Sequence, residues 1–184
     1  LSNPTFELEC GYLKQDIHNK HIGMSITTFQ AIAQRLKDKG FESDAPQEYL
    51  NIITNGARYT VQSRGLISQY CKTESLKDIN FTCMMKSRTS ASDGKKEAKD
   101  IEMNEYDIRI RLRNEVIVEK NNSTIVDELH NWERIPKMFR LIKRWSYRKK
   151  DSNGVQYDLS IVRMNRGYRK TTTFDDANII NQHP

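Results

Sequence analysis

The 184-residue sequence contains few apolar residues and no long hydrophobic run. Hydrophobic residues make up 36% of the chain, and the mean hydropathy is −0.78. No stretch approaches the roughly 18 consecutive apolar residues of a membrane-spanning helix, and the first residues contain no apolar signal-peptide core. We therefore expect an intracellular protein without a membrane span, long enough to form one domain over residues 1–184.

Cysteine is also scarce, since Cys10, Cys71 and Cys83 are the whole set and form no Cys-x-x-Cys motif. Three widely spaced cysteines are typical of reduced thiols rather than of a disulfide framework or a zinc site. Four catalytic motifs are absent as well: GxxxxGK, GxGxxG, GxSxG and HExxH. Their absence argues against the enzyme classes that depend on those motifs.

The sequence is rich in charge. Thirty Lys and Arg residues against twenty-four Asp and Glu residues give a net charge of +6. A basic excess of this size favours polyanionic partners such as RNA, nucleotides or polyphosphate, although many basic proteins bind none of these.

Alternation of apolar and polar residues predicts a mainly β protein. Strands are predicted over residues 5–10, 48–54, 57–63, 80–88, 105–113, 137–149 and 155–164. Asn55 and Gly56 predict a type I′ hairpin between two of these strands, and the residues 151–154 predict a second hairpin. Fewer segments are helical: one begins at Thr27 or Thr28 and stops at Gly40, one covers 123–132 with Ser123 as its cap, and a short one lies near 64–72.

Several predicted strands repeat a basic face. The residues on these faces are Lys86 and Arg88; Asp107, Arg109, Arg111 and Arg113; Arg140 and Arg144; and Asp158 with Ser160. On a single strand such a face is ordinarily solvated. Repeated over several strands, it indicates a barrel with an inward polar face, whose charges a bound oligophosphate and its metal would neutralise.

Glu7 and Glu9 project from the same face of the first predicted strand, about 6–7 Å apart. Carboxylate oxygens at that spacing suit Mg²⁺ or Mn²⁺. The same short pattern also occurs on ordinary edge strands, so the two residues alone do not define a metal site.

Six blocks in order along the chain resemble one known family. They are FELE at 6–9 with IGMS at 22–25, ARYT at 57–60, MKSR at 85–88, DIR at 107–109 followed by Glu115, RLIKRWSY at 140–147, and YDLS at 157–160. The sequence is similar in these blocks to the triphosphate tunnel family, the metal-dependent mRNA-capping RNA triphosphatases of fungi, protozoa and large DNA viruses.

The resemblance implies an α+β, mainly β fold: an eight-stranded antiparallel β-barrel, the triphosphate tunnel, with a few flanking helices. It implies a polynucleotide 5′-triphosphatase, a phosphohydrolase that removes the γ-phosphate of 5′-triphosphate RNA and also hydrolyses nucleoside triphosphates. A guanylyltransferase domain or subunit is a further candidate partner, because the Lys-x-Asp-Gly motif of that enzyme is absent. Expected locations are the cytoplasm or virion for a viral protein and the nucleus for a cellular one.

The resemblance also implies residue roles. Glu7 and Glu9 would bind Mn²⁺ or Mg²⁺, and Glu115 would orient or deprotonate the attacking water. The residues expected to clamp the phosphates are Arg58, Lys86, Arg140 and Arg144. The residues expected to bind or support them are Arg88, Asp107, Arg109, Lys143, Asp158 and Ser160; for the two aspartates, an ordinary ion pair between strands is the alternative.

Three departures from the family pattern bear on these roles. Gly11 stands where the family usually has a basic residue, and Ile142 interrupts the basic face while Lys143 points the other way. A late strand with a second Glu-x-Glu motif is not found, which predicts a truncated chain or an incomplete site. Three other interpretations stay open: an inorganic or small organic triphosphatase of the same superfamily, a non-catalytic RNA-binding module, and a structural barrel.

Overall fold

The computed structural model describes residues 6–12, 14–15, 21–22, 24–88, 100–150, 155–165 and 170–174. Within these residues the secondary structure is mainly antiparallel β, with three α-helices. The prediction of a mainly β chain with few helices is therefore confirmed. No helix of the described part is long and apolar enough to cross a membrane.

The described elements are as follows. The strands are β1 (Phe6–Tyr12), β2 (Lys14–Gln15), β3 (His21–Ile22), β4 (Glu42–Ser43), β5 (Gln47–Ile53), β6 (Arg58–Gln62), β7 (Phe81–Arg88), β8 (Ile101–Met103), β9 (Ile108–Val118), β10 (Met138–Arg148) and β11 (Gln156–Met164). The helices are α1 (Ile26–Asp38), α2 (Arg64–Thr73) and α3 (Ser123–His130). Contacts group the chain into two units, the first with residues 1–32 and 85–116 and the second with residues 33–84 and 117–184.

In the first unit, β1 and β8 both pair antiparallel with β9. The predicted strand at 105–113 differs from β9, which begins at Ile108 after a short 3₁₀ turn and continues to Val118. Asp107 closes that turn in the left-handed region, with φ 53° and its N–H donated to the Asn104 carbonyl. Aspartate tolerates this conformation better than most residues, and the alternation of residue types contains no information about such a turn.

The second unit contains a sheet in the order β7, β6, β5, β10, β11, with β4 beside the end of β10. One face of this sheet forms the hydrophobic core. Its fully buried side chains include Leu50, Ile52, Tyr59, Val61 and Phe139, which pack with residues of α2 and α3. Tyr59 contacts the rings of Phe81 and Trp132 edge to face. The opposite face of the same strands is polar, as expected for alternating side chains.

The hairpin between β5 and β6 forms where Asn55 and Gly56 predict it, but the prediction that its turn is of type I′ is wrong. That turn requires positive φ at both central residues, and neither residue has one. The oxygen of the Thr54 side chain instead accepts the N–H groups of Gly56 and Ala57, at 3.3 and 3.1 Å. The side-chain oxygen of Thr54 therefore satisfies the N–H groups of the turn, so neither central residue needs a positive φ.

The helix positions agree with the sequence patterns, while two caps differ. Helix α1 ends at Asp38, and the predicted stop signal, Gly40, follows it with a φ of 80°. Its first turn is capped by Ser25, which accepts the Thr28 N–H at 3.1 Å, rather than by a threonine. Helix α3 is capped by Asn122, which accepts the Thr124 N–H, rather than by Ser123. The observed caps lie one to three residues before the predicted ones, a small difference at a helix end, where the last turn often frays.

Candidate functional site

The polar face of the second unit contains a groove of about 310 Å³. Alternate residues of β5, β6, β7, β10 and β11 line it, because their neighbours in sequence face the hydrophobic core. Its charged side chains are Arg58, Arg144, Arg148 and Asp158. Three guanidinium groups against one carboxylate make this groove suited to an anion.

Asp158 is the centre of the hydrogen bonds in the groove. Its Oδ1 accepts from Ser146 Oγ at 2.7 Å and from Gln156 Nε2 at 2.6 Å. Its Oδ2 lies 3.1 Å from Nη1 of Arg144. Because donors on three residues already bind this carboxylate, its role is to hold Arg144 in place.

Arg144 is held from a second side as well. Its Nε donates to Ser160 Oγ at 3.0 Å, and its Cζ lies 5.5 Å from the centre of the Tyr49 ring. The antiparallel register places Arg144 directly opposite Ser160 and Ser146 opposite Asp158. The pairing of β10 with β11 therefore assembles Arg144, Asp158 and Ser160, three of the residues predicted from the sequence.

The charges around the groove shift the pKa of the Tyr49 hydroxyl. Burial raises the pKa of its hydroxyl; Arg144, Arg140 and Arg58 lower that pKa, while Asp158 raises it further. The net shift is upward, so the phenol stays a hydrogen-bond donor near neutral pH. The three predicted arginines are thus close enough to act electrostatically on one hydroxyl group.

Arg58 and Arg140 occupy neighbouring parts of the same polar face. Arg58 stands opposite Met84 in the register, and its Nη2 lies 2.8 Å from the Met84 sulfur. Arg140 stands opposite Asn51 of β5, whose Oδ1 accepts from Thr60 Oγ1 at 2.8 Å. Sequence reasoning overlooked Tyr49, Asn51 and Thr60, although their alternation with the core residues of β5 and β6 places them on this face.

Lys143 lies apart from these residues. It points to the opposite face of β10, is exposed, and has its Nζ 3.9 Å from a carboxylate oxygen of Glu48. Its Nζ is also 5.5 Å from the centre of the Trp145 ring. Lys143 therefore lies outside this groove, because successive side chains of a strand point in opposite directions, and its role in binding or supporting phosphate stays a prediction.

The first unit contains the other described residues that were predicted to bind metal or phosphate. Glu9 of β1 stands opposite Arg111 of β9, and Glu115 lies within β9 rather than downstream of the strand. Arg109 is ion-paired with Glu102 of β8, and Arg111 Nε lies 3.6 Å from an Asp100 oxygen. Neither acidic partner is predictable from the sequence, because Asp100 ends a stretch of residues typical of a loop and Glu102 follows it.

Asp107 has a local structural role. It ends the 3₁₀ turn before β9, so it does not share the strand face of Arg109 as the alternation predicts. The side chains of Glu7, Lys86 and Arg88 lie outside the described residues, so their predicted roles stay predictions.

A divalent cation is the implied cofactor, and Glu7 and Glu9 are its predicted ligands. Residues 7 and 9 both lie on β1. Hard carboxylate oxygens fit Mn²⁺ or Mg²⁺. Among the side chains that the structure describes, no three Asp, Glu, His or Cys residues form a metal-binding group.

Taken together, these features define an antiparallel β protein with a polar groove, in which a carboxylate and hydroxyls hold an arginine in place. No family model matches the chain, and no curated protein matches it. Two solved structures of the Mimivirus capping enzyme triphosphatase, a monoclinic and a triclinic form, match it in fold. Each is 13% identical, with 89% of this chain and 73% of that chain covered and a TM-score of 0.55. The resemblance to the triphosphate tunnel family is therefore confirmed at the level of the fold.

Proposed function

We propose that this protein is a metal-dependent polynucleotide 5′-triphosphatase that hydrolyses the γ-phosphate of triphosphate-ended RNA and of nucleoside triphosphates. The observation that supports this function best is the fixed position of Arg144 between Asp158 and Ser160, in a groove that also contains Arg58. The fold, which is similar to that of a viral capping enzyme triphosphatase, supports the same function.

The groove arginines have the chemistry that phosphoryl transfer requires. A guanidinium group can donate two parallel hydrogen bonds to phosphate oxygens and stays charged at any physiological pH. Donors that are already oriented stabilise the charge of the transition state without reorganising during the reaction. In the proposal, Arg58, Arg140 and Arg144 bind the phosphates, with Lys86 and Arg88 of β7 as further cations.

The reaction needs a nucleophile and a charge-neutralising ion. We assign Glu115 as the group that orients the attacking water and accepts its proton. The water oxygen then bonds to the γ-phosphorus while the bond to the β-phosphate oxygen breaks, which yields inorganic phosphate and a diphosphate RNA end. Glu7 and Glu9 would hold Mn²⁺ or Mg²⁺, which would neutralise charge on the phosphate oxygens. A guanylyltransferase domain or subunit would use the diphosphate end.

The test is release of ³²P from γ-labelled triphosphate RNA with Mn²⁺, with Mg²⁺ and with EDTA. We expect Arg144→Gln to lower kcat by about 100-fold or more, as for the loss of one oriented transition-state donor. Lys143→Gln is the matched control, since it removes one positive charge from the next residue on the opposite face. Equal losses in both variants, or release that persists in EDTA, would contradict the proposal.

A second candidate function is hydrolysis of inorganic or small organic triphosphates. The observation in its favour is that the groove is small and that its charged contacts suit phosphate groups alone. The ratio of kcat/KM for triphosphate RNA to kcat/KM for tripolyphosphate separates the two. A ratio below one would favour the small-molecule enzyme.

A further inference from the structure

A second cavity, of about 720 Å³, lies at the end of β10 in the second unit. Its walls include Ser146, Arg148, Lys149, Lys150, Glu42 and Asp44. Ser146 and Arg148 also line the groove that contains Arg144, so the two cavities adjoin. We call this second space the β10-end cavity.

Three consecutive cations, Arg148, Lys149 and Lys150, line the β10-end cavity, and all three are exposed. The ammonium group of Lys149 donates to the backbone carbonyl of Lys39, just after α1, at 3.1 Å. This hydrogen bond fixes a positive charge at the cavity wall rather than leaving it on a freely moving side chain.

A line of hydrogen bonds joins the β10-end cavity to the groove. Arg148 Nε donates to Gln156 Oε1 at 2.6 Å, and Gln156 Nε2 donates to Asp158 Oδ1 at 2.6 Å. Asp158 in turn holds Arg144. The side chains that would bind the triphosphate therefore continue without a break into the cationic wall of the second cavity.

The mixed charge of the wall indicates which anion it suits. Glu42 and Asp44 line the cavity together with the three cations, so a compact polyphosphate would meet like charges there. A ribose-phosphate chain carries one negative charge per nucleotide and a 2′-hydroxyl that can donate to a carboxylate. A wall that contains both cations and carboxylates therefore matches RNA better than free triphosphate.

We propose that the β10-end cavity binds the first nucleotides of the RNA that follow its 5′-triphosphate. Arg148, Lys149 and Lys150 contact the backbone phosphates, and Glu42 and Asp44 accept hydrogen bonds from ribose hydroxyls. This site rests on the proposed function, because it extends the groove that would hold the triphosphate. It gives the protein a preference for RNA ends over nucleoside triphosphates that a groove for phosphates alone does not provide.

The test compares the double variant Lys149→Gln, Lys150→Gln with the matched double variant Lys72→Gln, Lys77→Gln. All four lysines are exposed, and the control pair lies away from both cavities. The substrates are ATP and a triphosphate-ended RNA of eight nucleotides, and fluorescence anisotropy measures RNA affinity from 50 to 300 mM salt. We expect the first variant to raise KM for RNA about fivefold, to leave KM for ATP unchanged, and to reduce the salt slope by about 1.4, or 0.7 per lost contact.

Equal effects on RNA and ATP, or equal RNA binding by the two double variants, would overturn the proposed site. Should the wild-type protein release no phosphate from either substrate, the proposed enzymatic function fails, and the anisotropy comparison still decides the binding site. A triphosphate-ended DNA of the same sequence tests the carboxylates. It should bind more weakly than RNA to the wild-type protein, and equal affinity would remove Glu42 and Asp44 from the proposal.

Discussion

Asp158 is the residue whose replacement tests the groove most directly. Substitution by asparagine preserves the shape of the side chain and one oxygen, which can still accept from Ser146 and Gln156. The new amide group then faces Nη1 of Arg144 across the present distance of 3.1 Å. Two donors cannot share that contact, so Arg144 must move away from this side of its position.

The structure indicates how large each consequence should be. The side chains of Arg144 and Asp158 are 37% and 31% exposed, so solvent screens their ion pair. A pair of this kind contributes about 0.5–1 kcal/mol to folding stability. In the proposed function Arg144 binds phosphate, and misplacing such a group costs more, about 10-fold to 100-fold in kcat, which corresponds to roughly 1.4–2.7 kcal/mol of barrier. Activity should therefore fall much more than stability.

The assay measures kcat and KM for γ-phosphate release beside a urea unfolding curve for the same sample. Glu48→Gln is the matched control, because it removes the carboxylate partner of Lys143 on the opposite face of the sheet. We expect a lower kcat with a nearly unchanged urea midpoint for Asp158→Asn, and no change in either quantity for the control. A kcat within threefold of wild type would refute the role given to Asp158.

Four further predictions concern the local packing of single residues. A Cβ at Gly56 would lie 3.2 Å from Oε1 of Glu128, a carboxylate that Tyr59 and Thr54 hold in place, so Gly56→Ala should lower the urea midpoint. At Gly65 a Cβ would meet nothing within 4 Å. The change Gly65→Ala should therefore stabilise helix α2 by up to about 1 kcal/mol. Burial raises the pKa of the Cys83 thiol to about 11, so iodoacetamide at pH 8 should modify the exposed Cys10 before Cys83. Mass spectrometry gives the order of modification, and the reverse order would contradict the buried position of Cys83. Burial, followed by the hydrogen bond to Glu128, raises the pKa of Tyr59 above its ordinary 10.0. The contribution of Tyr59 to folding stability is therefore fully present below pH 10 and is lost at higher pH, because only the unfolded chain ionises there. Urea midpoints from pH 8 to 11 should fall less steeply for Tyr59→Phe than for wild type.

Much of the groove was predictable because it depends on alternation along single strands. Alternation placed Arg140 with Arg144 on one polar face and Asp158 with Ser160 on another, whereas Arg58 was expected only from the family resemblance. The structure brings these residues together on one polar face. The same rule correctly separated Lys143 from Arg144 by direction, although the family resemblance still assigned Lys143 a role.

The first unit was less predictable because its ion pairs join residues from segments without a periodic pattern. Asp100 and Glu102 adjoin a polar stretch, and nothing in their spacing indicates that they face Arg111 and Arg109. Asp107 fits the alternation of a strand, but its left-handed conformation depends on the turn in which it lies.

Local sequence patterns were enough to predict the mainly β class, the hairpin after β5, the helix that stops before Gly40 and the strand face of Arg140 and Arg144. These features follow from local rules: side-chain alternation, turn residues and the conformational freedom of glycine. Only the tertiary structure decided which side chains meet, such as Asp158 with Arg144, Glu128 with Tyr59, and Arg148 with Gln156. Those contacts depend on strand register and on the packing of helices against the sheet, which residues distant in sequence set together.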